Sequence, residues 1–241
     1  MIKGNTSQAS EITFCCHSCG GSSNIADKIH SMSICDHTII GFNFPDYNIT
    51  DESDHRKMAY GTVDEILPLL YILNFYVCNQ DIEKINLYGV SSGGGAVINA
   101  LAILNKYSYQ DELQLIGITH KNAKKILSAI EKGIVILECP LKSVQKIIDF
   151  MGATENLLYY HQNYEANHLN PITTVQQLIN LKLTILLHFT NPDEVLSNRD
   201  DVLFIDRLKQ ANKGITHITT DTHSGHSKFH AELWRRYKQI K

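Results

Sequence analysis

Short apolar runs alternate along this chain with longer amphipathic stretches, and that alternation predicts βα units wound around a mostly parallel sheet. Glu11 to Cys16 reads as the first strand, Ser23 to His30 as a short helix and His37 to Phe42 as the second strand. Thr62-Val63-Asp64-Glu65 has the form of a capping box and opens a helix reaching about Val77, kinked near Pro68. Ile82 to Tyr88 is the third strand, followed by a helix over Ala96 to Lys106. Within a helical insertion at about 107–132, Thr119 caps a helix whose Ala123, Ile126, Leu127 and Ile130 share one face, and Gly133 ends it. Ile134 to Leu137, β-branched and uniformly apolar, is a strand covered on both faces. A helix over Ser143 to Met151 and a polar, tyrosine-bearing, cap-like segment at about 152–180 come next. Leu181 to Phe189, Asp201 to Gln210, Ile215 to Thr219 and Lys228 to Ile240 then read as strand, helix, strand and helix.

These elements imply an α/β sheet of about six strands with helices on both faces, and the composition agrees. A chain of 241 residues that is 43% hydrophobic and 20% charged can bury one large core, so 1–241 is expected to be a single domain. A net charge of -3 and a pI near 6.4 leave no electrostatic footprint for nucleic acid. The lysines and arginines near the end lie on the last helix, where they complement its dipole. The longest apolar stretch, Ile66 to Val77, contains Pro68 and Asn74 and falls short of the roughly 20 residues a membrane span needs. The first residues lack the layout of a signal peptide, and a cytoplasmic protein is expected.

The six cysteines have no disulfide-scaffold spacing and are expected as thiols. Cys15, Cys16, His17 and Cys19 cluster in sequence, but neighbouring strand residues point to opposite faces and cannot all reach one ion. No metal site is expected there.

Candidate chemistry centres on Tyr88-Gly89-Val90-Ser91-Ser92-Gly93-Gly94-Gly95, a G-x-S-x-G element between a strand and a helix. The bare pattern arises by chance in on the order of one chain in ten of this size. Its position on a strand-to-helix turn is far rarer, and there it would push a serine hydroxyl out above the sheet. A serine hydroxyl needs a base, and the base needs an orienting acid. Thr190-Asn191-Pro192-Asp193-Glu194 follows the fifth strand and His223-Ser224-Gly225-His226-Ser227 the sixth. Parallel strands would bring Ser91, Asp193 and His226 to the same carboxyl edge, where ligands of such sheets bind. Gly225 and the helix after it favour His226 over His223; Glu194, Asp221 and Glu138 are the rival acids.

With the order serine, acid, histidine, the chain resembles the α/β-hydrolase superfamily, and within it the small-capped members near the prolyl-oligopeptidase and dienelactone-hydrolase branch. Cys16-His17-Ser18-Cys19-Gly20-Gly21 resembles that family's H-G-x-x-G loop, Leu137-Glu138-Cys139-Pro140 the end of the strand after the elbow, and Ile185-Leu186-Leu187-His188 the strand leading to the acid. Ser18 and Phe189 stand where the family often has glycine. The resemblance implies a serine hydrolase acting on an ester or thioester without a cofactor. Ser91 would be the nucleophile, His226 the base, Asp193 the acid, and the amides of Cys19 and Ser92 the oxyanion hole. A small peptidase, or a binding protein on the same fold with an impaired oxyanion loop, are the alternatives.

The resemblance also leaves the first two strands of the usual fold without counterparts ahead of residue 11, which would make His37 to Phe42 an apolar sheet edge. Proteins normally cover such edges. The ten N-terminal residues, the loop at 46–54, or a second copy in a homodimer would do so.

Overall fold

The computed structural model describes residues 2–3, 10–18, 23–31, 37–44, 61–145, 169–191, 193, 196, 200–221, 225–226 and 231–240. Strands β1 (Ile2–Lys3), β2 (Glu11–Cys16), β3 (Thr38–Gly41), β4 (Lys84–Val90), β5 (Ile134–Glu138), β6 (Thr184–Thr190) and β7 (Thr216–Asp221) form one sheet in the order β1-β3-β2-β4-β5-β6-β7. Six of them run parallel, and β1 pairs antiparallel with β3 through Ile2 with Ile40 and Lys3 with Ile39. The expected open edge at β3 is therefore paired with residues from the N-terminal ten.

Helices cover both faces, and the two-residue period of the strands sorts their side chains between them. On one face Ile12, Phe14, Cys16, Leu87, Val135, Leu137 and Ile185 pack with the helices α2 (Val63–Asn79), α3 (Ser92–Lys106) and α5 (His120–Glu131). On the other, Cys15, Ile39, Tyr88, Val90, Ile136 and Leu186 meet α1 (Ile25–Ser31) and the helix Ala231–Ile240, which contributes Leu233, Trp234 and Tyr237. Cys15 and Cys16 thus point to opposite faces.

Several local readings need correction. The hydroxyl of Thr62 makes no cap bond to α2; instead Glu65 accepts the Gly61 N–H at 2.8 Å, so only the backward half of the box forms, one residue early. In the expected insertion, α4 (Gln110–Leu115) precedes α5, and there Thr119 does accept the Asn122 N–H. α3 begins at Ser92 rather than Ala96, with all three glycines inside its first turn. Helix Pro171–Thr174 and a 3-10 turn at Val175–Leu178 lie in the expected cap, whose residues 152–168 fall outside the described ones. Among the described residues no helix is long and apolar enough to cross a membrane.

Candidate active site

Three residues from three strand ends meet above the carboxyl edge of the sheet. β4 ends at Val90, and Ser91 turns the chain directly into α3 with φ 53° and ψ -118°. Outside glycine, such a conformation costs on the order of 1–3 kcal/mol and persists only where its surroundings enforce it. Here the backbone is held on both sides. Ser91 N–H donates to Glu138 O at 2.9 Å, and Ser91 O accepts from Leu141 N–H at 2.7 Å and from Gly94 N–H at 3.0 Å. The glycines make the approach possible, since a Cβ on Gly93 would lie 2.3 Å from Cys16 O and 2.5 Å from His17 O. A substituted residue at 93 would drive α3 away from the end of β2.

The Ser91 hydroxyl lies 2.9 Å from His226 Nε2, and His226 Nδ1 lies 2.9 Å from Asp193 Oδ2. The other carboxylate oxygen of Asp193 accepts the Leu196 N–H at 2.7 Å, which fixes the carboxylate from behind. An ionised carboxylate can only accept, so the bond to Asp193 places the imidazole proton on Nδ1 and leaves the Nε2 lone pair facing Ser91. The Asp193 and His226 side chains are 2% and 7% exposed, so water competes little for either contact.

The rival acids lie elsewhere or outside view. Glu138 is completely buried on the sheet face it shares with Tyr88, whose hydroxyl it accepts at 2.5 Å. Burial, reinforced by the Glu138 charge, drives the Tyr88 phenol well above its ordinary pKa. Glu194 and His223 lie outside the described residues, as does the side chain of Asp221, which ends β7.

Of the expected oxyanion donors, Ser92 occupies the first turn of α3, where helix amides have no acceptor within the helix. Cys19 lies outside the described residues. The start of its loop is organised by His17, whose Nδ1–H donates to Ser18 O at 2.7 Å while Nε2 accepts the Phe44 N–H at 3.2 Å. Burial lowers the pKa of His17, in keeping with a neutral ring that acts as a backbone clamp. Phe189 lies buried within β6, with the Lys142 ammonium 5.2 Å from its ring centroid.

Two features beside the line of Ser91, His226 and Asp193 escape the sequence. Cys139, directly after β5, is buried with φ 42°, and its Sγ lies within 4.8 Å of ligand atoms of Asp193 and His226. Its place immediately after a parallel strand was the available signal, since such positions open onto the ligand-binding edge. Lys142 forms a buried ion pair with Asp201, a partner 59 residues away that no local pattern announces.

No protein-family model matches the chain, and no curated protein matches it. Solved structures do. An esterase from Pyrococcus furiosus superposes over 97% of this chain and 81% of its own with a TM-score of 0.61 at 14% identity. A lipase/esterase from Lactobacillus plantarum gives 95%, 85%, 0.61 and 13% in the same order. Esterase B from Lactobacillus rhamnosis, in a structure inhibited with a tributyrin phosphonate, gives 98%, 74%, 0.63 and 16%. The chain has the α/β-hydrolase fold shared with these esterases.

Proposed function

We propose that this chain is a serine hydrolase that cleaves a carboxylic ester through an acyl-enzyme on Ser91. The observation that carries the reading is the unbroken hydrogen-bonded line from Ser91 Oγ through both nitrogens of His226 to Asp193. A fold alone hosts many functions, whereas this line has the geometry that nucleophilic acyl transfer requires.

In the proposed cycle Ser91 Oγ attacks the acyl carbonyl as His226 Nε2 takes its proton. Asp193 stabilises the imidazolium that results. Negative charge developing on the carbonyl oxygen is met by the Ser92 amide at the α3 N-terminus and by the Cys19 amide from the loop after β2. One such donor is worth about 2.7–4 kcal/mol of barrier. His226 then protonates the departing alcohol, and water attacks the acyl-enzyme by the same route in reverse. Every group used is a protein group, so the cycle calls for no cofactor.

The esterase names of the structural neighbours favour an ester over a peptide bond, and the tributyrin-derived inhibitor of one of them favours a short acyl chain. A thioester would pass through the same steps. Kinship with the small-capped prolyl-oligopeptidase and dienelactone-hydrolase branch rests on the sequence motifs. A fluorophosphonate probe should label Ser91, and p-nitrophenyl esters from acetyl to octanoyl should be hydrolysed with a preference for the short end. An unlabelled, inactive protein would instead make this an α/β-hydrolase-like binding protein.

A further inference from the structure

Cys139 has no role in the hydrolytic cycle, yet it lies against the acid and base that run it. Its thiol, the Asp193 carboxylate and the His226 imidazole each offer a ligand atom, all within 4.8 Å of one another. One soft anionic sulfur, one imidazole nitrogen and one carboxylate oxygen form a donor set suited to zinc. Tetrahedral zinc, with Zn–S near 2.3 Å and Zn–N and Zn–O near 2.0–2.2 Å, sets ligand-to-ligand edges of roughly 3.3–3.6 Å. Small side-chain movements reach that geometry from the present one: the thiol closes in while the 2.9 Å contact between His226 and Asp193 opens slightly.

We propose that Cys139, Asp193 and His226 form a zinc site whose occupation switches the hydrolase off. The chemistry follows from a count of protons on one ring. Metal-free, His226 carries its single proton on Nδ1 and turns the Nε2 lone pair toward Ser91. Zinc bonds through the Nδ1 lone pair, so the neutral ring must then hold its proton on Nε2. That nitrogen faces Ser91 at 2.9 Å and can only donate, so the serine loses its base. Cys139 binds as thiolate and releases one proton to solvent; no bond to carbon forms and nothing is oxidised. The inhibition rests on the function proposed above, whereas the binding does not.

The experiment therefore separates the two. Cobalt(II), a spectroscopic substitute for zinc, is titrated into the metal-free wild-type protein, into Ser91→Ala and into Cys139→Ser, with Cys78→Ser as a control for the exposed thiol. A sulfur-to-cobalt charge-transfer band with tetrahedral d–d absorption is expected in the wild type, Ser91→Ala and Cys78→Ser, and is lost in Cys139→Ser. Zinc should compete the band away. In parallel, zinc should abolish wild-type ester turnover, while Cys139→Ser keeps near-wild-type basal turnover and needs at least about tenfold more zinc for half-inhibition. A missing band in folded wild-type protein, or a band that survives in Cys139→Ser, overturns the site. A Cys139-dependent band in a protein without esterase activity would leave the site standing and remove the proposed function instead.

Discussion

Lys142 and Asp201 form a buried ion pair that joins the segment after β5 to the first residue of the helix following the Asp193 loop. The neighbouring Leu141 N–H is bonded to Ser91 O, so the pair ties the backbone contact of Ser91 to the helix that follows Asp193 in sequence. Removing one partner strands the other charge, because the Lys142 side chain is only 3% exposed. Asp201→Asn should cost roughly 3–5 kcal/mol of stability. Lys142→Met combined with Asp201→Asn should cost less than the two single changes summed, measured by urea unfolding in a double-mutant cycle.

Ser91 holds φ 53°, a backbone region that suits glycine, and under the proposed function its hydroxyl is the nucleophile. Ser91→Gly should raise the thermal midpoint relative to Ser91→Ala by the equivalent of about 1 kcal/mol or more, since alanine keeps the strain and glycine relieves it. Both variants should lose ester turnover. Calorimetry on the pair, with p-nitrophenyl acetate as the activity probe, checks both statements.

Asp193→Asn preserves shape but loses the charge that sets the His226 tautomer. A drop in kcat of about 10⁴ is expected with little change in KM or stability. Glu138→Gln, buried and engaged by the Tyr88 hydroxyl, should leave kcat within a few-fold of wild type while lowering stability. The reverse order in steady-state kinetics would move the acid to β5.

Burial raises the pKa of Glu65 to about 8 from its ordinary 4.5, with the Gly61 N–H bond opposing the shift. A carboxyl whose folded pKa is raised binds a proton on folding between those two values, so its contribution declines as pH climbs from about 4.5 through about 8. Glu65→Gln retains an acceptor for Gly61 and carries no charge. Between pH 6 and pH 8.5 the wild type should therefore lose more unfolding free energy than Glu65→Gln. Urea titrations at the two values measure the difference.

Strands β2 to β7 and the meeting of Ser91, His226 and Asp193 were legible because parallel strands give a rule for where their ends go, whatever the loops between them do. The start of α3 was not legible. Three successive glycines read locally as a break, and only the close approach of Gly93 to the Cys16 and His17 carbonyls shows why they open a helix. β1 is two residues long, too short for any period to register, and its place is set by the hydrogen-bonding edge of β3 rather than by its own sequence. Glu138 was weighed as an acid from its strand-end position alone; two-residue alternation sends its side chain to the face that carries Ile136 and Tyr88, where it accepts the Tyr88 hydroxyl. Lys142 with Asp201 and Cys139 beside His226 are contacts between distant segments, visible only once the sheet brings those segments together.

The contact between Ser91 and His226 spans 135 residues of chain. On a ribosome adding roughly 5–20 residues each second, Ser91 is synthesised on the order of ten seconds before His226 exists. Throughout that interval, under the function proposed above, Ser91 has no base to take its proton and behaves as an ordinary alcohol toward any ester it meets. With Ser91 as the proposed nucleophile, ester turnover requires His226, which follows the last parallel strand, so turnover should report on completed folding and no fragment ending before His226 should show it.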